Sequence, residues 1–176
     1  MNKLRLFSLI FVMISLVACT NKEKVYNSVI KDSKTGEEIL YGYCNVEGIK
    51  GDVFKEAYIK EMEEYRPNDS LVNLLSSNYQ DITVKVIMGT WCSDTKREVP
   101  RLLSVLFSSG YDPTVSENFE AICVDTEKKA EDIDLEPYKF DKVPTIIVYR
   151  SGAEIGRIIE TPQISIEQDL LDILSK

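Results

Sequence analysis

The chain has 176 residues, with 21 Lys and Arg against 29 Asp and Glu and a formal net charge of −8. That length suits one ordinary domain, and a polyanion of this kind repels phosphate backbones, so no nucleic-acid partner is expected. There is no histidine, which removes Ser-His-Asp and Cys-His catalysis and the commonest metal ligand together; no metal and no cofactor are expected.

Lys3 and Arg5 precede an apolar run over 6–17. The run is short of the roughly 20 residues of a membrane span and has the charge and length of a signal peptide. Leu16-Val17-Ala18-Cys19 resembles a bacterial lipobox. The resemblance implies cleavage before Cys19 and lipidation of its sulfur. Loss of residues 1–18 takes two positive charges with it and leaves 158 residues at a net charge of −10. Residues 19–24 are then a lipidated tether, and the protein is expected in the cell envelope, anchored by lipid to a bacterial membrane, inner or outer. Such a compartment permits disulfides, yet only Cys44, Cys92 and Cys123 remain, so at most one internal pair can form.

In chain order, 25–31 and 38–44 flank the turn cluster "DSKTG" and predict a hairpin. A helix is expected over 51–65, broken at Pro67-Asn68-Asp69, and a second one, capped by Ser70, to about 78. Residues 82–88 read as a strand covered on both faces, and a helix follows over 93–107, ended by Ser108-Ser109-Gly110. A buried strand over 119–124 and a short helix over 135–140 come next. Strands over 145–149 and 154–159 meet at Ser151-Gly152, and an amphipathic helix over 164–174 closes the chain. From Ser70 onward the order is α-β-α-β-α-β-β-α, which predicts an α/β fold with a mixed sheet.

The motif-bearing stretch is "IMGTWCSDTKREVP", in which Trp91-Cys92 leads into Lys96 and Pro100. With Val143-Pro144-Thr145 ahead of "IIVYRSG", and with "ICVDTEKK" before that, it resembles the thioredoxin superfamily over 82–176. The resemblance implies a thioredoxin-like mixed sheet flanked by helices over 70–176, with residues 25–69 as an N-terminal extension of hairpin plus helix. It also implies a cis proline at Pro144 facing Cys92, and a substrate peptide held by Trp91, Val143 and Pro144. The chain departs from the family pattern in two places. Cys92-Ser93-Asp94-Thr95 is a C-x-x-T, monothiol motif, and Val86 replaces the acid that family oxidoreductases bury six residues before the cysteine.

A thiol at a helix N-terminus is met by unpaired N–H groups that favour the thiolate. Thr95 can offer a hydroxyl to the sulfur and Lys96 a positive charge, whereas Asp94 opposes both. Cys92, Thr95 and Lys96 are therefore the candidate catalytic residues. Without a resolving partner, Cys92 can hold a mixed disulfide that is released by a substrate thiol, an external thiol reductant or a distant cysteine. Cys123, inside an apolar strand, is expected in the core; Cys44 is either buried or the distant resolving thiol. Two functions follow: envelope thiol-disulfide exchange, of isomerase or reductase type, on proteins with thiols or disulfides, or a redox-inactive thioredoxin-fold lipoprotein that binds peptides or partner proteins near Val143-Pro144.

Overall fold

The computed structural model describes residues 24–130 and 132–176; the expected signal peptide over 1–18 and the expected lipidation site Cys19 lie outside these residues. A hairpin, β1 (Ser28–Lys31) and β2 (Glu38–Cys44), leads to three short helices, α1 (Val46–Lys50), α2 (Lys55–Glu64) and α3 (Asp69–Leu75). Then come β3 (Ile82–Met88), α4 (Ser93–Ser108), β4 (Phe119–Cys123), β5 (Thr145–Arg150), β6 (Ala153–Ile159) and α5 (Ile166–Leu174). The strands form one six-stranded sheet in the order β1-β2-β4-β3-β5-β6. β3 and β4 run parallel, as the α4 crossover between them requires, and the other pairings are antiparallel. The fold class is therefore the α/β mixed sheet flanked by helices that the sequence predicts.

Several boundaries differ from expectation, each for a local reason. The helix expected over 51–65 starts only at Lys55 and ends at Glu64, and a separate short helix, α1, precedes it and ends at Gly51. Asn45 caps α1, its side chain accepting from the Glu47 and Gly48 N–H groups; a five-residue helix is too short to show periodicity. Asn68, not Ser70, caps α3, accepting from the Ser70 and Leu71 N–H groups, and that helix stops at Leu75. The short helix over 135–140 shrinks to a 3-10 turn at Glu136–Tyr138, followed by Lys139 at φ 46°.

The extension does not sit apart from the rest. β2 pairs along β4, with Tyr43 opposite Ile122 and Cys44 opposite Ala121. The Leu40 N–H reaches the Thr90 hydroxyl, one residue before Trp91, at 3.2 Å. At the tip of the hairpin, buried Asp32 accepts from the Thr126 N–H at 3.1 Å and its hydroxyl at 2.9 Å. That first contact, ahead of the turn N–H groups, holds the Asp32 carboxyl far below the usual carboxylate range. At the other end of β1, Lys24 pairs with buried Glu120 and lies 4.3 Å from the centre of the Tyr43 ring.

All five α-helices feed the hydrophobic cluster on one face of the sheet. From α4 come Val99, Leu102, Leu103 and Leu106, fully buried against Val84, Val86 and Met88. By transfer, each such aliphatic side chain contributes roughly 1.5–3 kcal/mol. Pro100 lies within α4 and leaves the Lys96 carbonyl without an intrahelical donor. The opposite face carries Ile87, Ile122, Val124 and Val143, covered by Ile133, Leu135, Tyr138 and Phe140 from the 124–144 segment instead of a long helix. Buried carboxylates fasten the helices to one another. Glu61 of α2 takes Arg101 of α4 at 2.7 Å, while Glu167 of α5 takes the Tyr65 hydroxyl at 2.7 Å and the Asn68 N–H at 2.8 Å.

Candidate functional site

The site forms where β3 ends. Gly89 and Thr90 turn the chain, and the Cys92 N–H closes that turn on the Gly89 carbonyl at 2.9 Å. Glycine is needed here because a Cβ at residue 89 would stand 2.6 Å from the Trp91 indole. Trp91 is half-buried and donates its Nε1–H to the Val124 carbonyl at 3.0 Å, which fixes the ring at the end of β4. Cys92 is the N-cap residue of α4, with extended backbone at φ −83° and ψ 131°. Its side chain does not cap the helix, so the first-turn N–H groups are left facing the site.

Cys92 is half-buried, and its Sγ donates to the Val143 carbonyl at 3.2 Å. The Val143–Pro144 peptide is cis. The loop carrying it is pinned on both sides: the Thr145 hydroxyl donates to the Lys142 carbonyl at 2.7 Å, and the Glu160 N–H to the Pro144 carbonyl at 2.8 Å. Trp91, Cys92, Val143 and Pro144, chosen from separated stretches of sequence, thus meet at one end of the sheet. An N-cap cysteine against a cis-proline loop, on this strand order, decides the architecture. The fold is thioredoxin-like.

Comparisons with known proteins gave the following. No protein-family model matches the chain, and no curated protein matches it. A protein of unknown function from Pseudomonas aeruginosa aligns over 70% of this chain and 80% of its own at 16% identity, with a TM-score of 0.47. The reduced thioredoxin pre-protein of Schistosoma mansoni aligns over 60% and 88% at 24% identity, TM-score 0.36. Thioredoxin from Trypanosoma brucei brucei aligns over 59% and 85% at 25% identity, TM-score 0.36.

Thr95 does not do what its position suggests. It is fully buried one turn into α4, and its Oγ1 has no hydrogen-bond partner among the described residues. The expected hydrogen bond to the sulfur is not made; the thiol lies on the Val143 carbonyl instead. A buried hydroxyl without a partner costs about 1–3 kcal/mol, and an ionised sulfur one turn away is the acceptor that would relieve it. Thr95→Val, nearly the same size, is therefore expected to melt at the same temperature or higher. Its Cys92 is expected to react with iodoacetamide ~2–10-fold more slowly near neutral pH, a ratio that mass spectrometry of the Cys92 peptide reads directly.

Lys96 is exposed, and no ion pair engages it among the described residues. With Ser93 and Arg97 of α4 and Phe54, Lys60 and Glu61 of the α2 region it lines a cleft of about 510 Å³. Sequence reasoning missed this cleft, since nothing local in 51–65 announces that α2 will pack on α4.

Cys44 and Cys123 are fully buried on the helix-covered face. Gly42 stands opposite Cys123 and Cys44 opposite Ala121, so the two thiols are diagonal neighbours. Burial first, then contact with Cys44, pushes the Cys123 thiol up. Cys44 is thus placed beside Cys123, away from the Cys92 sulfur on Val143, and is not set to resolve a disulfide there. Of the three cysteines among the described residues, brief alkylation of the reduced, folded protein is expected to label Cys92, with Cys44 and Cys123 modified only after denaturation. Labelling of Cys44 at the rate of Cys92 in native protein would contradict the burial described.

Proposed function

We propose that this protein is a thiol-disulfide exchanger of isomerase or reductase type that works through Cys92 alone, tethered by lipid on Cys19 to a bacterial envelope membrane. The observation that carries the reading is the half-exposed Cys92 sulfur at the α4 N-terminus, lodged on the Val143 carbonyl beside Pro144. Ionisation frees the sulfur from that carbonyl and exposes it to the first-turn N–H groups.

The thiolate attacks one sulfur of a substrate disulfide, R–S–S–R′. A Cys92–S–S–R bond forms, the substrate S–S bond breaks, and R′–S⁻ leaves and takes a proton from solvent. A second thiolate, from the substrate itself in isomerisation or from an external thiol reductant in reduction, then attacks the mixed disulfide. In isomerisation it attacks the substrate sulfur, Cys92 leaves as thiolate and a new substrate disulfide forms. In reduction it attacks the Cys92 sulfur, R–S⁻ leaves, and a second reductant thiolate then displaces Cys92 as thiolate and departs in the reductant's own disulfide. No second cysteine of this chain enters the cycle, because Cys44 and Cys123 are fully buried. Trp91 and the Val143–Pro144 backbone supply the walls against which an extended substrate lies, and Lys96, exposed in the first turn of α4, adds positive charge. Substrates are envelope proteins with thiols or disulfides.

The test is covalent capture. Incubation of the reduced protein with a disulfide-scrambled substrate is expected to give a Cys92-linked adduct that dithiothreitol releases. Retention of the same partners by a Cys92→Ser protein, without any reducible link, would instead establish the redox-inactive peptide-binding lipoprotein.

A further inference from the structure

The C-x-x-T motif places a carboxylate, Asp94, two residues from the reactive sulfur, and the structure shows what becomes of it. An acid at this position of a helix ordinarily sits over the first-turn N–H groups. There it competes with the Cys92 sulfur for the same donors, and its charge opposes the thiolate. Here, among the described residues, no first-turn N–H group donates to Asp94, and an arginine engages it instead. Its Oδ1 takes Arg97 Nη2 at 2.9 Å, one turn down the helix. Arg97 is held in turn by its Nε on Glu98 Oε1 at 2.6 Å, and Glu98 is buried. A buried acid thus holds the guanidinium, and the guanidinium engages the half-buried Asp94 carboxylate in place of the first-turn N–H groups.

We propose that Arg97 is a positioning residue for Cys92: by holding Asp94 along α4 it keeps that carboxylate off the first-turn N–H groups and leaves them to the sulfur. The inference rests on the exchange reading above and names a residue that reading does not use. The hydrogen bond to Glu98, ahead of other effects, raises the Arg97 guanidinium further above its already high ordinary value, so the clamp stays charged throughout the range in which a thiol titrates. The other charged groups around it do not duplicate its role. On α4, Lys96 carries no ion pair among the described residues; from α2, Glu61 is engaged by Arg101 at 2.7 Å and by Lys60 at 3.7 Å; beside the Pro144 loop, Lys142 is paired with Glu160 at 2.6 Å. Among the described residues, Arg97 is the cation that pairs with Asp94.

The experiment follows Cys92 carbamidomethylation by iodoacetamide, an uncharged reagent, from pH 5 to 10 in the full chain, with the Cys92 peptide quantified by mass spectrometry. Arg97→Gln is expected to move the midpoint of the rate profile up by about 0.5–1 pH unit. Arg97→Lys is expected to restore most of that shift, and Asp94→Asn/Arg97→Gln to return the midpoint to wild type or below. A purely structural Arg97 would lower the melting temperature without moving the midpoint, and an unmoved midpoint in folded Arg97→Gln overturns the proposal. Asp94→Asn, a surface change that leaves the fold intact, guards against a misfolded Arg97 variant. It is expected to lower the midpoint, and if the profile stays in place, Asp94 is not felt at the sulfur and the proposal fails. Failure of the exchange reading looks different: the wild type would show its alkylation midpoint and yet capture no disulfide substrate at any pH.

Discussion

Replacing Cys92 with serine is expected to abolish reducible adducts with envelope proteins, at least roughly a hundredfold below wild type, while the melting temperature stays within a few degrees. A serine hydroxyl is not ionised near neutrality and cannot form a sulfur–sulfur bond. The substitution exchanges one small half-buried side chain for another, and the introduced hydroxyl can still donate to the Val143 carbonyl that now accepts from the thiol at 3.2 Å. Chemistry and stability therefore separate cleanly at this position. Non-reducing electrophoresis reads the first and circular dichroism the second. Persistent adducts from the variant would place the reacting thiol elsewhere and end the case for Cys92.

Glu167→Ala is expected to give the largest loss of stability, about 2–4 kcal/mol, or on the order of 10 °C in melting temperature. The carboxylate is 2% exposed. Its removal leaves the Tyr65 hydroxyl and the Asn68 N–H, at the joint between α2 and α3, without their acceptor. Glu167→Gln keeps an acceptor of the same shape and should lose much less. The pH dependence has a definite sign. Burial acts first and would raise the Glu167 carboxyl, but the Asn68 N–H, its own backbone N–H, the Tyr65 hydroxyl and Ser165 outweigh it and hold the carboxyl below the ordinary value. Its stabilising contribution is thus complete above the unfolded carboxylate range and fades as pH falls through the lowered folded value. Thermal melts from about pH 7 down to about pH 3 should show wild type approaching Glu167→Ala in the acid. A gap that stayed constant across that range would sink this account.

Legibility in the sequence followed the range of the interactions. β3 and α4 were readable because their signals are local: β-branched residues over 82–88, then an apolar stripe ended by Ser109 and Gly110. The hairpin of β1 and β2 was equally plain, since Gly36 in its turn adopts φ 73°. Its destination was not. Nothing in "EILYGYC" reveals that this strand will lie against β4, because pairing partners are chosen by the assembled sheet. The same holds at the site. Trp91, Cys92, Val143 and Pro144 could be gathered by resemblance, but the unpartnered Thr95 hydroxyl, the Arg97 link between Asp94 and Glu98, and the adjacency of Cys44 and Cys123 depend on side-chain directions. Those directions are set by packing, and packing has no one-dimensional signature.

The ion pair of Lys24 with Glu120 ties the residues just before β1 to β4. Glu120 sits near the beginning of β4, whereas Val124, which holds Trp91, follows its last residue. β1 then climbs from Lys24 toward the pole where Asp32 meets Thr126. Lys24 and Glu120 consequently mark the pole remote from the sulfur. A partner approaching Cys92 therefore does not have to step around the Lys24–Glu120 pair, which lies in the opposite hemisphere of the molecule.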